Sequence, residues 1–320
     1  MERFDPRDRP RGGPPAAKPY AFVPIPAGDP RRERPAGHQQ YNGNLLTGTL
    51  EGIITARSPV HVASGQIELT GKRPSLVKAH FRRNGRLTIP GSSLKGAIRS
   101  IVEAISNPPS CLRVTRARFA EQPAQVRACN RKESLCVACQ MFGAMGYLGQ
   151  VHFHDAILDG GESTIILTPS LFAPRTRERA YIANGQVRGR KFYSHGELAR
   201  GNVPIEVCPP GSRFRFRVDF ENLSDPQLSL LLIALGQGTP TLYPKLGGAK
   251  PACCGSVEMH ITGFTAISAR EAALDYDATP SPVDITMVIG ATRLVNRDAL
   301  NRLATILIYP GEGTCPPGSY

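Results

Sequence analysis

Several segments of the chain alternate between apolar and polar residues with the two-residue period of a β-strand. The alternation is clearest over residues 212–220, where phenylalanine and valine side chains fall on one face and three arginines fall on the other. Shorter or less regular runs predict further strands over residues 45–62, 151–158, 164–167 and 256–267. A sheet built from these segments would be apolar on one face and basic on the other along its most regular strand.

Two helices are predicted between these strands, and a third follows them. Apolar residues at helical spacing occupy residues 94–105, with Ser92 or Ser93 as the natural N-cap and a Pro-Pro pair to end the helix. A second helix starts at Ser224, a cap residue followed by a first-turn proline, and a third covers residues 297–307. The order strand, helix, strands, helix, strand is that of a ferredoxin-like or RNA-recognition-type fold, here split by long insertions. We therefore expect the α+β class.

The first 42 residues differ from the rest and predict an extended or disordered N-terminal arm. Arginine and proline dominate it, and residues 19–26 read Pro-Tyr-Ala-Phe-Val-Pro-Ile-Pro, which is typical of an extended, polyproline-like chain. The aromatic and aliphatic side chains in this stretch indicate a segment that docks on a neighbouring surface.

A second unusual segment lies at residues 175–193, which contain six arginines and lysines. Asn184-Gly185, between Tyr181-Ile182 and Val187, is the usual signal for the tight turn of a β-hairpin. We therefore expect a strongly basic hairpin at this position.

The charge of the chain indicates a polyanionic partner. Its 39 lysines and arginines against 26 acidic residues give a net charge of +13 and a pI near 9.7. Because binding to phosphates releases counterions, a nucleic acid is favoured over a membrane surface. No apolar run approaches the roughly 18 residues of a transmembrane helix, and the Arg- and Pro-rich start is not a signal peptide. We expect a cytoplasmic protein whose eight cysteines stay reduced and need not form disulfides.

Four cysteines cluster in an irregular, polar part of the sequence, at residues 111–139. Cys136 and Cys139 form a Cys-x-x-Cys turn, which places two thiolates as tetrahedral zinc requires, and Cys111 and Cys129 can complete four sulfur ligands. Ligation by four thiolates leaves no open position, so the zinc would be structural and would take no part in chemistry. Four reduced structural cysteines are the alternative.

Residues 90–99, Pro-Gly-Ser-Ser-Leu-Lys-Gly-Ala-Ile-Arg, form a candidate phosphate site. Amides at a helix N-terminus and the hydroxyls of Ser92 and Ser93 can meet phosphate oxygens. Lys95 and Arg99, four residues apart, lie on one face of the helix. The spacing is not that of a P-loop, so nucleotide hydrolysis is not expected. A capped helix with two solvated charges is the alternative.

A Gly-rich loop at residues 243–257 is a second candidate site. Gly247 and Gly248 let the backbone approach a polyanion closely, and Lys245 and Lys250 supply positive charge. A plain surface turn is the alternative.

Several motifs, taken in order, resemble those of RAMP proteins, which form the filament of type III and related CRISPR complexes. Residues 89–99 resemble the family's IPGSSLKG-xx-R segment, and residues 135–143 are similar to its CPxCxLFG zinc element. Phe153-His154-Asp155-Ala156 matches the Phe-x-Asp-Ala that opens its next strand. Residues 246–257 resemble the LGxGKPxGxGSV loop of the type III-D branch, and residues 20–26 resemble the N-terminal signature of that branch.

The resemblance covers residues 19–267 and implies how the chain is organised. After an arm of residues 1–42, residues 43–320 would form a modified ferredoxin-like or RNA-recognition-type palm. A zinc-bearing finger insertion would occupy residues 107–143, and a thumb insertion containing the basic hairpin would occupy residues 172–208.

The resemblance also implies partners. Copies of such a subunit stack along a guide RNA with other Cas subunits, each copy splays one nucleotide with its thumb, and the guide meets a complementary RNA or DNA target. Tyr181, Phe192 and Tyr193 would be available to stack on bases. Cys253 and Cys254 depart from the family's loop, where small or aromatic residues are usual. The residues expected to bind RNA are Ser92, Ser93, Lys95, Arg99, Arg188, Arg190, Lys191, Lys245, Gly247, Gly248 and Lys250.

The resemblance bears on catalysis as well. Members that cleave their target carry an aspartate in the loop before the strand that leads to IPGSS, where a carboxylate can hold a metal. Lys72 or Arg73 falls at that place here, so we expect a non-catalytic subunit. The alternatives are a target-cleaving RNase of the same family that uses Glu68, His61 or His80, and an unrelated zinc-containing nucleic-acid-binding regulator.

Overall fold

The computed structural model describes residues 19–39, 41, 43–71, 73–111, 128–171, 182–183, 186–290 and 293–316. These residues combine many strands with few helices, which confirms the expected α+β class. No helix in this part of the chain is long and apolar enough to cross a membrane.

Strands outnumber helices three to one in the described ranges. The helices are α1 (Gly91–Ile105), α2 (Val137–Phe142), α3 (Asp225–Ala234), α4 (Ala269–Leu274), α5 (Ile285–Ile289) and α6 (Arg297–Ile306). The strands are β1 (Tyr20–Val23), β2 (Leu46–Ala56), β3 (Ala63–Leu69), β4 (Leu76–His80), β5 (Arg82–Arg83), β6 (Arg86–Ile89), β7 (Val151–Phe153), β8 (Ala156–Leu158), β9 (Thr164–Thr168), β10 (Ile182–Ala183), β11 (Gln186–Val187), β12 (Arg190–Tyr193), β13 (Gly196–Glu197), β14 (Val203–Val207), β15 (Arg213–Leu223), β16 (Val257–Ser268), β17 (Ser281–Pro282) and β18 (Gly313–Thr314).

A large antiparallel sheet forms the centre of the molecule, in the strand order β17-β16-β2-β15-β8-β6-β5. β7 pairs with β15 on the same side as β8 and continues its line. Along the chain, β2, the β7–β8 pair, β15 and β16 come in that order with other strands between them; α1 lies between the first and the second, and α3 between the third and the fourth. In the sheet they lie in the order fourth, first, third, second.

Alternation along β15 decides which face of this sheet is buried. Phe214 and Phe220 on its predicted apolar face are enclosed, whereas its predicted arginine face is exposed. β2 adds Leu50 and Ile54 to the same core. α1 packs against α3 and against β7. Burying one such apolar side chain contributes roughly 1.5–3 kcal/mol to the stability of the fold. The apolar face of the sheet therefore holds the sheet and the helices together.

Helix α1 begins earlier than its sequence predicts. Its N-cap is Pro90, not Ser92 or Ser93, and its first residue is Gly91. The Gly91 amide donates a hydrogen bond of 2.8 Å to Asp155 Oδ1. A carboxylate from a neighbouring loop therefore satisfies the helix start, where the sequence predicted a serine hydroxyl.

The strand predicted over residues 151–158 is two strands, because His154 and Asp155 leave the ladder between β7 and β8. It is there that Asp155 reaches α1. The start of α1 and the end of β7 are in close contact, since a Cβ on Gly91 would lie 2.1 Å from the Phe153 carbonyl oxygen. The other long predicted elements are confirmed with small shifts of their ends, as β9, β15, β16, α3 and α6, whereas β2 ends at Ala56, six residues before its predicted end.

A smaller sheet in the order β3-β4-β14-β9 follows the C-terminal end of β2. β14 pairs in parallel with β4 and antiparallel with β9, and β3 is an edge strand. β14 lies within residues 172–208, the range expected for the thumb, so part of that range belongs to this sheet.

Part of the N-terminal arm forms a strand, β1 (Tyr20–Val23). β1 pairs antiparallel with β12, and this two-stranded ribbon packs on α6. The aromatic segment thus docks on this chain's own surface. β10 and β11 pair on either side of positions 184 and 185, which lie outside the described residues, so the predicted hairpin is confirmed.

The cysteines are not all reduced, contrary to expectation. Cys253 and Cys315 form a disulfide with their Cα atoms 5.8 Å apart. The bridge joins the Gly-rich loop to the end of β18, which pairs in parallel with β13. The two cysteines are 62 positions apart, so their proximity depends on the fold and cannot be read from their spacing.

Candidate metal centre and nucleic-acid interface

Cys111, Cys129, Cys136 and Cys139 come together in one buried cluster, as their sequence predicts. The Cys111 sulfur lies 3.8, 3.5 and 3.4 Å from the sulfurs of Cys129, Cys136 and Cys139 in turn. Four thiolates at about 2.3 Å from a tetrahedral ion would be about 3.8 Å apart, so the cluster has the dimensions of such a site. These four residues could therefore bind a metal ion.

The start of α2 positions two of the four cysteines. Cys136 is the N-cap residue of α2 and Cys139 lies in its first turn, which holds the Cys-x-x-Cys pair in a tight bend. The Cys136 amide donates to Cys129 Sγ at 3.3 Å. A hydrogen bond to sulfur favours the thiolate form that metal ligation requires.

Arg99 connects the cysteine cluster to α1. Its guanidinium donates to Cys139 Sγ at 3.3 Å, to the Gly143 carbonyl at 2.8 Å and to Glu103 Oε1 at 2.6 Å. Burial acts to lower the pKa of Arg99, but the Glu103 carboxylate outweighs it and the pKa is raised. Arg99 is 9 % exposed and its guanidinium is bonded within the protein, so it is not placed to meet RNA at the surface.

Glu103 extends this network to the ribbon. Its side chain is fully buried, and its Oε2 lies 2.7 Å from Arg190 Nη1 on β12. Arg190 also donates to Ser100 Oγ at 2.7 Å. Continuous charged contacts therefore join the cysteine cluster, α1 and β12. Arg190, expected at an RNA surface, is turned inward to meet Glu103.

Ser92, Ser93 and Lys95 remain at the surface of α1. Ser92 is exposed, and Ser93 and Lys95 are half-buried. Burial lowers the pKa of Lys95, and an adjacent phosphate would oppose that shift by favouring the charged form. The first amide of the helix is already occupied, because Gly91 donates to Asp155. An anion at this helix start would meet the serines and Lys95.

The Gly-rich loop is clasped to the segment that follows β2. The Gly248 amide donates to the His61 carbonyl at 2.7 Å. Gly247 has φ of 75°, and a Cβ there would lie 2.1 Å from the same carbonyl oxygen. The close approach that these glycines permit is therefore made by the protein's own backbone.

The two lysines of the loop have different surroundings. Lys245 is buried, and its Nζ donates to the carbonyl oxygens of Cys253 at 3.1 Å and Cys254 at 3.2 Å. Burial lowers the pKa of Lys245 to about 7. Lys250 begins a short 3-10 turn and is half-buried, and burial lowers its pKa too. Lys245 maintains the loop's shape, and Lys250 is the better placed to meet a phosphate.

The two candidate phosphate sites are well separated. α1 follows β6, whereas the Gly-rich loop leads into β16, and β8, β15 and β2 lie between those two strands. Four strand spacings of about 4.8 Å amount to roughly 19 Å. One phosphate cannot contact both sites, but a polynucleotide several residues long could.

The remaining basic residues expected to bind RNA lie on the ribbon and beside it. Arg188 is exposed, with its Cζ 5.5 Å from the Phe22 ring centroid. Lys191 is half-buried among aromatic rings. Phe192, expected to stack on bases, packs against the core instead, and Tyr181 lies outside the described residues.

Of the candidate catalytic residues, His61 and His80 lie next to each other, with their ring centroids 6.1 Å apart. Glu68 and Arg73 are exposed on and beside the β3–β4 pair, and Lys72 lies outside the described residues. His61 and His80 are both buried, and burial lowers the pKa of each. Within the described ranges, no group of three or more potential metal ligands besides the cysteine cluster comes together.

Three acidic residues that sequence reasoning missed hold these elements in place: Glu103, Asp155 and Glu206. Glu206 is buried, accepts the His80 amide at 2.8 Å and pairs with both terminal nitrogens of Arg82. Burial opposes ionisation of Glu206, but Arg82 and its other donors lower its pKa to about 2. The Phe-x-Asp-Ala motif is a sequence signal that could have identified Asp155. The four-residue spacing between Arg99 and Glu103 could have identified Glu103 as a partner on the same helix face.

Residues 53–258 match the family model of the RAMP superfamily, which is more than half of the 320 residues. The chain belongs to the RAMP superfamily. RAMP proteins are CRISPR-associated, and they bind CRISPR RNA and other Cas subunits. The matched region runs from within β2 to within β16, so it includes α1, the cysteine cluster and the Gly-rich loop. A comparison with curated proteins finds no match to the chain.

Proposed function

We propose that this RAMP protein is a non-catalytic backbone subunit of a CRISPR effector complex. It would bind guide RNA along a filament and present it to a complementary RNA or DNA target, with further copies of itself and other Cas subunits as partners. The observation that carries the proposal is the family match, which covers the cysteine cluster, β12 of the ribbon and most of the central sheet. The resemblance assigns those features to finger, thumb and palm.

The topology supports a modified ferredoxin-like palm. In that fold a strand, a helix, two strands, a helix and a strand form a sheet in the order fourth, first, third, second. β2, the β7–β8 pair, β15 and β16 follow that order here. The motifs at residues 20–26 and 246–257 favour the type III-D-like branch.

Zinc is the metal that we propose for the cysteine cluster. Four thiolates at tetrahedral spacing favour zinc over harder cations, which prefer oxygen ligands. Cys111, Cys129, Cys136 and Cys139 would be its ligands, and the ion would stabilise the finger insertion. The Arg99 guanidinium would offset part of the excess negative charge of four thiolates.

The residues at the position where cleaving family members carry an aspartate favour RNA binding over RNA cleavage. Arg73 is exposed there, and a positive charge repels a metal ion and attracts the RNA backbone. The second candidate function is target cleavage by an RNase of the same family, and the exposure of Glu68 on β3 favours it. Burial argues against His61 and His80 in that role.

Co-expression with a repeat-spacer transcript tests the proposed function. We expect RNA of guide length to co-purify with the chain, and electron microscopy to show repeating arrays of subunits. Purification as an RNA-free monomer would contradict the proposal. Preference for double-stranded DNA without any guide would favour the unrelated regulator.

A further inference from the structure

The β3–β4 hairpin exposes apolar side chains on one face. Its register pairs Ile67 with Lys78 and Leu69 with Leu76, and since side chains alternate along a strand, these four residues share one face of the hairpin. Ile67 is 65 % exposed, Leu69 81 % and Leu76 51 %. We call these four residues the hairpin patch. The solvent face of a sheet is ordinarily polar, so three exposed aliphatic side chains together indicate a contact surface.

The opposite face of the hairpin already attaches it to the molecule. Val77 and Ala79, which alternate with the patch residues along β4, are buried. The hairpin joins the rest of the chain at the end where Ala63 pairs with His80, and the hairpin patch lies toward its other end. The patch is therefore not needed to hold β3 and β4 in place, and it stands away from the central sheet.

A second exposed segment covers the end of α4 and the turn that follows it. Residues 271–277 read Glu-Ala-Ala-Leu-Asp-Tyr-Asp, and all seven are exposed. Among its three carboxylates stand two large apolar side chains, Leu274, which is 76 % exposed, and Tyr276, which is fully exposed. The neighbouring basic residue, Arg270, lies against Gly43. We call residues 271–277 the acidic patch.

The two patches lie at opposite ends of β2. β16 runs antiparallel to β2, and its last residue, Ser268, pairs with Leu46 at the start of β2. α4 begins directly after Ser268, so the acidic patch lies at this end. The hairpin follows the other end of β2, at Ala56. Eleven residues at about 3.3 Å per residue place the two ends roughly 33 Å apart, so the patches cannot meet within one chain.

The hairpin and the acidic patch are complementary in charge as well as in apolar character. Residues 63–78 contain Lys72, Arg73 and Lys78 against Glu68, which gives a net charge of +2. Residues 271–277 have a net charge of −3 in a chain whose total is +13. Opposite charges around apolar side chains are the arrangement of a protein–protein contact with a polar rim.

We propose that the hairpin patch of one copy of this chain binds the acidic patch of the next copy. The aliphatic side chains of the hairpin patch cover Leu274 and Tyr276, and Lys78 meets the carboxylates at the edge of the contact. Because each copy keeps one of its two patches open, the contact is head-to-tail and extends into a row of copies. The inference rests on the proposed function and names the surfaces through which successive subunits meet.

Cysteine cross-linking tests the inference, because all eight native cysteines are buried. Chains with Leu69→Cys, Tyr276→Cys or both substitutions are co-expressed with a repeat-spacer transcript, and the full-length complexes are treated with a short bismaleimide. The double variant should form a ladder of covalent dimers, trimers and longer products, since each copy offers one thiol at each end. Each single variant should run as a monomer on a denaturing gel.

A ladder in the double variant alone supports the inference. Dimers of Leu69→Cys by itself would show that hairpins pair with each other and would overturn it, as would a double variant that stays monomeric. Repeating arrays on guide RNA in the electron microscope would leave the proposed function standing in both cases. Chains that purify without RNA would contradict the proposed function, whether or not they cross-link.

A second variant distinguishes protein contact from RNA contact by the hairpin. Leu69→Asp sets a carboxylate against the acidic patch, so association between copies on a long guide should fall roughly tenfold or more. Affinity for an RNA that holds one copy should stay unchanged, as should thermal unfolding. Met145→Asp is the matched control, since Met145 is 80 % exposed in the turn after α2, and it should bind both RNAs normally. Equal losses on the two RNAs in Leu69→Asp would overturn the inference, because the hairpin would then contact RNA.

Discussion

Glu103 shows at the scale of one residue how this chain stabilises its functional elements. Its carboxylate is removed from water and lies between the guanidiniums of Arg99 and Arg190. Such an arrangement adds little net stability compared with apolar packing, but breaking it leaves buried charges without a partner. Its effect is to set α1, the cysteine cluster and β12 in one relative position.

Replacing Glu103 should therefore destabilise the fold strongly. Glu103→Gln keeps the shape of the side chain but leaves the buried Arg99 and the half-buried Arg190 without their shared carboxylate, so the free energy of unfolding should fall by about 3–5 kcal/mol. Urea denaturation of the full chain measures this. Glu162→Gln, at an exposed position, is the matched control and should change stability by less than about 0.5 kcal/mol. Equal midpoints for the two variants would show that the network is not needed for stability.

The roles of single cations could be predicted only in part from the sequence. Arg99 and Lys245 stand in motifs that resemble RNA-binding segments, and the spacing of each is compatible with phosphate contact. Both are buried and bonded within the protein. Burial depends on what packs over a residue from distant parts of the chain, and no local pattern encodes that.

At the scale of elements, the finger insertion depends on its cysteine cluster. Cys136→Ser removes one ligand at the start of α2, so the metal content of purified protein should fall well below one ion per chain. Elemental analysis of fresh protein measures it, with limited proteolysis as a readout of the finger's order. Cys208→Ser is the matched control, because Cys208 is also buried and forms no disulfide, but it lies outside the cluster. Wild-type protein without metal would contradict the assignment.

The surfaces at the start of α1 and in the Gly-rich loop should contribute additively to the free energy of RNA binding. If Lys95 and Lys250 contact phosphates as expected, Lys95→Ala and Lys250→Ala should each lower the slope of log affinity against log salt by roughly 0.7 for a single strand. Filter binding over a salt series provides the slopes. Arg302→Ala, at an exposed position of α6, should leave the slope unchanged. An unaltered slope in the double variant would place the RNA path elsewhere, for example along the exposed arginines of β15.

Elements with one buried face were predictable, and elements without one were not. β15 and α1 carry the periodicity of their buried sides, and the sequence locates both. β3 is exposed along nearly its whole length, so no alternation marks it, and Ile67 and Leu69 stand in solvent. The interruption between β7 and β8 follows from the contact of Asp155 with α1, which local sequence does not specify.

At the scale of the whole molecule, we propose that the protein holds RNA and leaves its target intact. Guide-loaded complex incubated with labelled complementary target and magnesium or manganese should leave that target uncut, because Lys72 or Arg73 falls where cleaving members carry an aspartate and a positive charge there repels a metal ion. Evenly spaced cuts that disappear in Glu68→Ala would show that the chain is an RNase. Cuts that persist in that variant would point to His80 or to a contaminating nuclease.

The organisation of the whole chain was predictable from the sequence only where a local motif or a periodic pattern marks it. The four cysteines, the hairpin at residues 182–187 and the strand order around α1 and α3 follow from spacing and periodicity. The pairing of β1 with β12 and of Cys253 with Cys315 joins positions far apart in the sequence. Contacts of that kind are set by the folded topology.

The number of chains bound per guide RNA tests the central claim most directly. A backbone subunit covers a fixed length of guide, so mass measurements on complexes with guides of increasing length should show the number of bound chains rising in equal steps. The spacing of those steps would be the length of RNA held by one subunit. One chain per guide at every length, with protein in excess, would contradict the backbone role.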